Sequence, residues 1–280
     1  MHRILYRLFR HLPVAWVSLT GSLVVRANVR LNRPEIRANA CRNLLQHVPG
    51  ISDREIDRTL SSFLDNVGRM MAEFAVLPRL VPEGRVELSG VERAVERVGQ
   101  VPTLALALHT GNWEVFSPVM RSLGIPVASF YEPPEDIVQR EIAETVRRQF
   151  DTKLLSPDRR GIRDSLAILK QNGVVAIFAD EARGGRTMAP LFGRPPHGEG
   201  NLAIAARLAR HTGAQLVVIH CERLPGVRFR LHFGEPFILP AGEHNLFDDV
   251  SLLNAAIEPI ILKHLNRWYY LDDSIAPLDG

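Results

Sequence analysis

His109 and Glu114 stand five positions apart in the stretch His109-Thr110-Gly111-Asn112-Trp113-Glu114, and this short segment holds the best-placed chemistry in the chain. An imidazole held through one nitrogen by a carboxylate can take a proton on the other, because the carboxylate fixes the tautomer and stabilises the imidazolium. The continuous apolar run Thr103 to Leu108 reads as a buried strand that ends at His109, and a second such run, Val174 to Ala179, ends at Asp180. In open parallel sheets ligands gather beyond the carboxyl ends of the strands, so both polar residues are candidates. Gly111 permits a tight turn after His109, and Asn112 is a fitting N-cap that places Trp113 and Glu114 in the first turn of a helix. Free amides at that helix start would suit an oxyanion. A strand-end histidine with a purely structural role has the same local pattern, and spacing alone leaves both readings open.

The elements that must position these residues follow from periodicity. Residues 34 to 77 read as helical: Ser52-Asp53-Arg54-Glu55 opens a helix as a capping box, and Ile56, Leu60, Phe63, Leu64, Val67, Met70 and Met71 form one buried stripe. Pro78, Pro82 and Gly84 end this section. Strand and helix then alternate. Helices are predicted over 112–123, 136–150, 161–170 and 202–211, and strands over 125–130 and 215–221. An alternating segment, Arg228 to Phe233, reads as an antiparallel edge strand. Fully apolar strands followed by helices predict an α/β fold, a mostly parallel central sheet flanked by helices. The expected division is a helical, membrane-associating region at 1–83 and an α/β core at 84–280, together one compact domain.

Several chemistries are poorly supported. The ten histidines are scattered without ligand spacing, and Cys41 and Cys221 lie far apart, so neither a metal nor another cofactor is expected. Gly184-Gly185, between Arg183 and Arg186, lacks the Lys-Ser/Thr of a P-loop and reads better as a flexible loop than as a phosphate cradle. The Gly-x-Ser-x-Gly elbow of α/β hydrolases is missing. His220 and His232 read as packing residues.

The net charge is only +3, yet Glu35 is the first acidic residue, preceded by Arg3, Arg7, Arg10, Arg26, Arg30 and Arg33 among leucines, Phe9 and Trp16. A basic helix with an apolar opposite side suits an anionic lipid surface; a core-packed helix with a solvated basic face is the alternative. The uncharged run Leu12 to Val25 is short of the ~20 apolar residues that span a bilayer. No basic patch interleaved with aromatics is present in the body of the chain, and no nucleic-acid partner is expected.

The block His109 to Glu114 resembles the signature of the bacterial lipid A biosynthesis (late) acyltransferases, relatives of the glycerolipid acyltransferases with their His-x4-acid motif. The similarity extends to Tyr6-Arg7-Leu8-Phe9, to Asn43-Leu44 with Pro49, to Gly173–Asp180, to Leu191-Phe192-Gly193, to Gly200–Ala209, to Arg223 and to Trp268-Tyr269-Tyr270. The resemblance implies an O-acyltransferase on the cytoplasmic face of the inner membrane. It would carry a fatty acyl group from an acyl carrier protein or acyl-CoA to a lipid hydroxyl, with a lipid A precursor as acceptor. It puts the base on His109, its partner on Glu114, and an anion-binding arginine on Arg148 or its neighbour Arg147, with Asp180 orienting that arginine. Asn112, Trp113, Arg147 and Arg223 are implied as substrate-binding residues. A solvated helix face beside Glu141 and Glu144 is the alternative for the arginine, and a structural cap the alternative for Asp180. Position 181 is Glu where the family has Gln. Two further departures, Pro195-Pro196-His197-Gly198-Glu199-Gly200 where the family has small hydroxyl residues and Asp272-Asp273-Ser274 where relatives often carry basic residues, leave room for another polar lipid acceptor or for a silent lipid-binding relative.

Overall fold

The apolar runs lie at the centre of a sheet because both of their faces are covered. A computed structural model describes residues 2–133, 137–242 and 245–276. The chain begins with four helices, α1 (His2–Phe9), α2 (Val14–Asn32), α3 (Pro34–His47) and α4 (Asp53–Glu73). There follow α5 (Leu77–Leu80), β1 (Val86–Ser89), α6 (Val91–Val95), β2 (Thr103–Ala107), α7 (Phe116–Ser122), β3 (Val127–Phe130), α8 (Ile137–Arg148) and β4 (Lys153–Leu155). The remainder is α9 (Arg159–Lys170), β5 (Val174–Phe178), β6 (Glu181–Arg183), β7 (Arg186–Ala189), α10 (Gly200–Thr212), β8 (Gln215–Leu224), β9 (Arg228–Phe233) and α11 (Leu246–Lys263).

The main described sheet has the order β1-β9-β8-β2-β5-β3-β4, parallel throughout except between β8 and β9. Side chains alternate across it. Leu104, Leu106, Val175, Ile177, Leu216 and Val218 enter one core, while Ala105, Val174, Ala176, Val217 and Ile219 enter the other. Burial on both faces is why these strands read as unbroken apolar runs. The chain leaves β2 toward β3 and β4, returns as β5 beside β2, and later adds β8 on the other side of β2. A crevice therefore opens past the β2 carboxyl end, where the winding reverses.

The predicted capping box is present: Ser52 Oγ accepts from the Glu55 amide at 3.4 Å, and Glu55 accepts from the Ser52 amide at 2.9 Å. Three expectations are corrected. β9 is antiparallel to β8 but is no edge strand, because β1, too short at four residues to stand out in the sequence, pairs with its far side in parallel. Gly184-Gly185 forms the tight turn of the β6–β7 hairpin, both glycines having positive φ, and is not a loose loop. The predicted helix over 112–123 begins as a 3-10 turn at Trp113–Val115 before α7. α11 is an element the sequence reading leaves unassigned, although Asn245 and Asp248 form its capping box and Val250, Leu253, Ile257 and Ile261 are its buried stripe.

The helical layer is fastened where α2 crosses α4. A Cβ on Gly21 would strike the Gly68 carbonyl, and one on Gly68 the Gly21 carbonyl, so only glycine lets these backbones approach so closely. α2 buries Val14, Val17, Ser18, Gly21, Ser22 and Val29 on this side. Its opposite side exposes Trp16, Leu19, Leu23 and Val24, beside exposed Arg26 and Arg30. No helix among the described residues is long and apolar enough to cross a membrane.

Candidate active site

His109 and Asp180 meet because of sheet register. Ala107 of β2 pairs with Phe178 of β5, and each polar residue stands two positions further along its own chain. Asp180 is completely buried and accepts the His109 backbone amide at 3.0 and 2.9 Å through its two oxygens. His109 Nδ1 lies 3.0 Å from Asp180 Oδ1, and Trp268 Nε1 donates to Asp180 Oδ2 at 2.8 Å. A carboxylate oxygen accepts, so the ring proton sits on Nδ1 and Nε2 keeps its lone pair. Phe178 packs 4.3 Å from the imidazole centroid, while Trp113 at 4.9 Å and Tyr270 at 5.0 Å stand edge-on to it. The His109 side chain remains 16% exposed, enough to reach a ligand.

The expected partner of His109 was Glu114; the structure puts a different carboxylate on Nδ1. Glu114 accepts from Arg147 Nη2 at 2.8 Å, and Arg147 also stacks over the Tyr131 ring at 4.6 Å. The expectation that Asp180 orients the arginine is corrected in the same way, since Glu114 holds it. The reason is local. The turn after His109 starts as 3-10 helix, with Val115 donating to the Asn112 carbonyl at 3.3 Å, while the parallel register had already delivered Asp180 to the ring. Arg148 is not at the site. It lies on the outer face of α8, its side chain 74% exposed, bonded to Glu144 at 2.9 Å, which is the solvated-face alternative. One position earlier, Arg147 turns inward.

Asn112 and Arg223, expected to bind substrate, are buried behind the site. Arg223 grips Glu73 with two bonds of 2.7 Å, and Asn112 Nδ2 donates to the same carboxylate at 2.9 Å. Asn112 occupies the N-cap position but makes no capping bond. Gly111 is needed between them: at φ +60° a Cβ there would strike the Cys221 carbonyl. Burial pushes the Cys221 thiol up to about 12, so this cysteine is a packing residue.

In front of the turn a cavity of about 970 Å³ is lined by His109, Trp113, Glu114, Arg147, Tyr269 and Tyr270. It extends to Thr20 and Val24 of α2 and Met71 of α4, which are themselves exposed, and in the other direction to Phe130, Leu154, Ile162 and Ile204. The arginines lining it, Arg147 and Arg183, are paired with Glu114 and Glu181. Glu181 also accepts the Asn201 amide at the start of α10. Among the described residues the buried Tyr131 hydroxyl has no partner, and burial raises its pKa. Sequence reasoning passed over Tyr131 and met Glu181 only as a departure from the family pattern; its position directly after Asp180 was the available signal for a role at the site. Among the described residues no group of His, Cys, Asp and Glu is arranged to hold a metal.

A strand-end imidazole on a buried carboxylate, beside a large and largely apolar cavity, makes the candidate site of this α/β fold. The chain belongs to the bacterial lipid A biosynthesis acyltransferase family, whose sequence model matches residues 2–273. It is accordingly an acyltransferase with an acyl donor and a lipid acceptor. No curated protein matches it. Among solved structures it is similar to the 1-acyl-sn-glycerophosphate acyltransferase PlsC from Thermotoga maritima, with a TM-score of 0.41 and 12% identity over 89% of this chain and 94% of that one.

Proposed function

We propose that the protein moves a fatty acyl chain from an acyl thioester, on an acyl carrier protein or CoA, to a hydroxyl of a lipid A precursor. The observation that carries this reading is His109, its Nδ1 on a buried carboxylate 3.0 Å away and its ring facing a cavity of about 970 Å³. The lipid hydroxyl gives its proton to His109 Nε2 as its oxygen attacks the thioester carbon. Asp180 stabilises the imidazolium, the C–S bond breaks, and the proton passes to the departing thiolate. No covalent enzyme intermediate is needed. General-base help of this kind contributes about a hundred- to ten-thousand-fold. Glu114 holds Arg147 at the cavity wall, where its guanidinium suits a developing oxyanion or a lipid phosphate.

The exposed stripe on α2 docks on the cytoplasmic face of the inner membrane, since the cavity reaches Thr20 and Val24 of that helix. Trp16, Leu19 and Leu23 enter the lipid interface, flanked by Arg26 and Arg30 against anionic headgroups. A second reading, an acceptor with few phosphates, is favoured by the charge of the lining: its arginines already carry glutamates.

The test incubates purified protein with bacterial membranes and labelled acyl carrier protein or acyl-CoA, and identifies the lipid that gains label. Label in a lipid A precursor supports the first reading, and label in another glycolipid the second. No transfer from either donor rejects both. Leu23→Glu is expected to abolish sedimentation with anionic vesicles in a protein that stays folded; unchanged sedimentation removes the docking face.

A further inference from the structure

Directly behind the cavity wall lies a polar cluster that no step of the proposed reaction uses. Ala72, Phe74 and Ala75 line the cavity, while Glu73 between them points the other way and has no exposed surface. Trp113 and Glu114 line it too, while Asn112 beside them is fully buried. The two inward-turned side chains meet, with Asn112 Nδ2 donating to Glu73 Oε2 at 2.9 Å. Arg223 of β8 closes on both Glu73 oxygens at 2.7 Å, and Ser18 of α2 donates to Oε1 at 2.6 Å. Arg223 Nε donates to Asn66 Oδ1 at 2.8 Å, and Asn66 Nδ2 donates to the Gly111 carbonyl at 3.0 Å. The His109–Trp113 turn is thus tied to α4 twice, at Gly111 and Asn112, and through Glu73 to α2.

A buried ion pair is a weak source of net stability, because desolvation offsets most of the attraction, and apolar residues of the same volume often serve as well. What the pair provides is direction. Its fixed donors and acceptors admit one placement of the turn, where apolar packing tolerates many. We infer that Glu73, with Arg223 and Asn112, is a positioning residue for catalysis: it holds the His109 turn against α4 and so sets the imidazole's place between Asp180 and the cavity. The inference rests on the assignment of His109 as base.

The expected effect comes from the cost of misplacement, in which a shift of about 1 Å in a reacting group costs about a hundredfold. Glu73→Gln keeps the shape but turns a donor toward Arg223 or Asn112. In the full-length protein kcat for acyl transfer should fall about ten- to a hundredfold with KM for the donor little changed. Asn112→Asp sets two carboxylates together and should do the same. A purely structural role predicts a lower melting temperature with unchanged kcat per folded molecule, and that result overturns the inference.

Should Glu73→Gln not fold, Ser18→Ala removes two bonds at the edge of the cluster, one given to Glu73 and one accepted from Arg69, and should still lower kcat several-fold; an unchanged kcat there is equally fatal. A second readout needs no turnover. In protein labelled with ¹⁵N-histidine, the His109 signal, assigned by its loss in His109→Gln, should shift or broaden in Glu73→Gln. An unmoved signal refutes the positioning role, whereas an undisturbed parent that transfers no acyl group refutes the proposed function and leaves this measurement standing.

Discussion

Two Glu–Arg pairs flank the same turn. Glu73–Arg223 behind it is bidentate, with side-chain exposures of 0% and 8%, and every partner belongs to the protein. Glu114–Arg147 in front has a single bond of 2.8 Å, exposures of 12% and 21%, and a cavity beside it. The chemical types are identical and the surroundings differ. A guanidinium bound inside the protein through all three of its nitrogens, as Arg223 is, holds structure in place, whereas one bound through a single nitrogen has donors left for a ligand. Residue type therefore proposes a site, and the saturation of its hydrogen bonds decides whether it can act on a substrate.

The sharpest break between front and back is expected in turnover. His109→Ala should reduce acyl transfer by about a thousandfold or more, and Asp180→Asn by about a hundredfold or more, with the fold retained. Glu114→Gln should cost less, about tenfold to a hundredfold, since it holds Arg147 and not the ring. Steady-state kinetics rank the three. If Glu114→Gln is the more damaging carboxylate change, the orienting role assigned to Asp180 is wrong.

Stability should divide the pairs in the opposite sense. Arg223→Met strands Glu73 in a dry interior and should cost about 3–5 kcal/mol in denaturant unfolding, whereas Arg147→Met, at a wetter pair, should cost about 1 kcal/mol or less. Equal losses would erase the distinction. Smaller still is the contrast along α8. Arg147→Lys, which loses the planar fork, should lower kcat/KM about tenfold, and Arg148→Ala should leave it unchanged, because Arg148 pairs with Glu144 in solvent. A comparable loss from Arg148→Ala would return the site arginine to that position.

The central strands and the strand-end residues were legible because full burial writes itself as unbroken apolar runs, and His109 and Asp180 each terminate one. Which strands are neighbours was not. β2 and β5 are far apart in sequence, so nothing local revealed that the His109 ring meets Asp180 before it meets Glu114. Choosing between Arg147 and Arg148 failed for a related reason: adjacent helical positions differ by about 100° in direction, and spacing matched to a motif cannot fix which one turns inward. Arg223 and Asn112 were visible as polar residues near the site, but the carboxylate that claims both, Glu73, lies in a helix read only for its apolar stripe.

Asp273 offers the subtlest test of the idea that surroundings decide what a carboxylate does. Unlike Glu73 and Glu114, it is half-buried beside another acid, Asp272, and burial first, then that neighbour, raises its pKa from 3.8 to about 6. Between those values the native protein binds a proton that the unfolded chain has released, so stability falls as pH rises through this window. Below it both states are protonated and no penalty exists; above about 6 both are ionised and the penalty is complete. Two pKa units correspond to at most about 3 kcal/mol, and solvent at this partly exposed carboxyl reduces the expected figure to about 1 kcal/mol. Asp273→Asn, neutral at every pH, should therefore unfold at higher denaturant than the parent at pH 8, by about 1 kcal/mol, and match it at pH 3.5. A gain of the same size at both pH values would mean that packing, and not the charge, makes Asp273 costly.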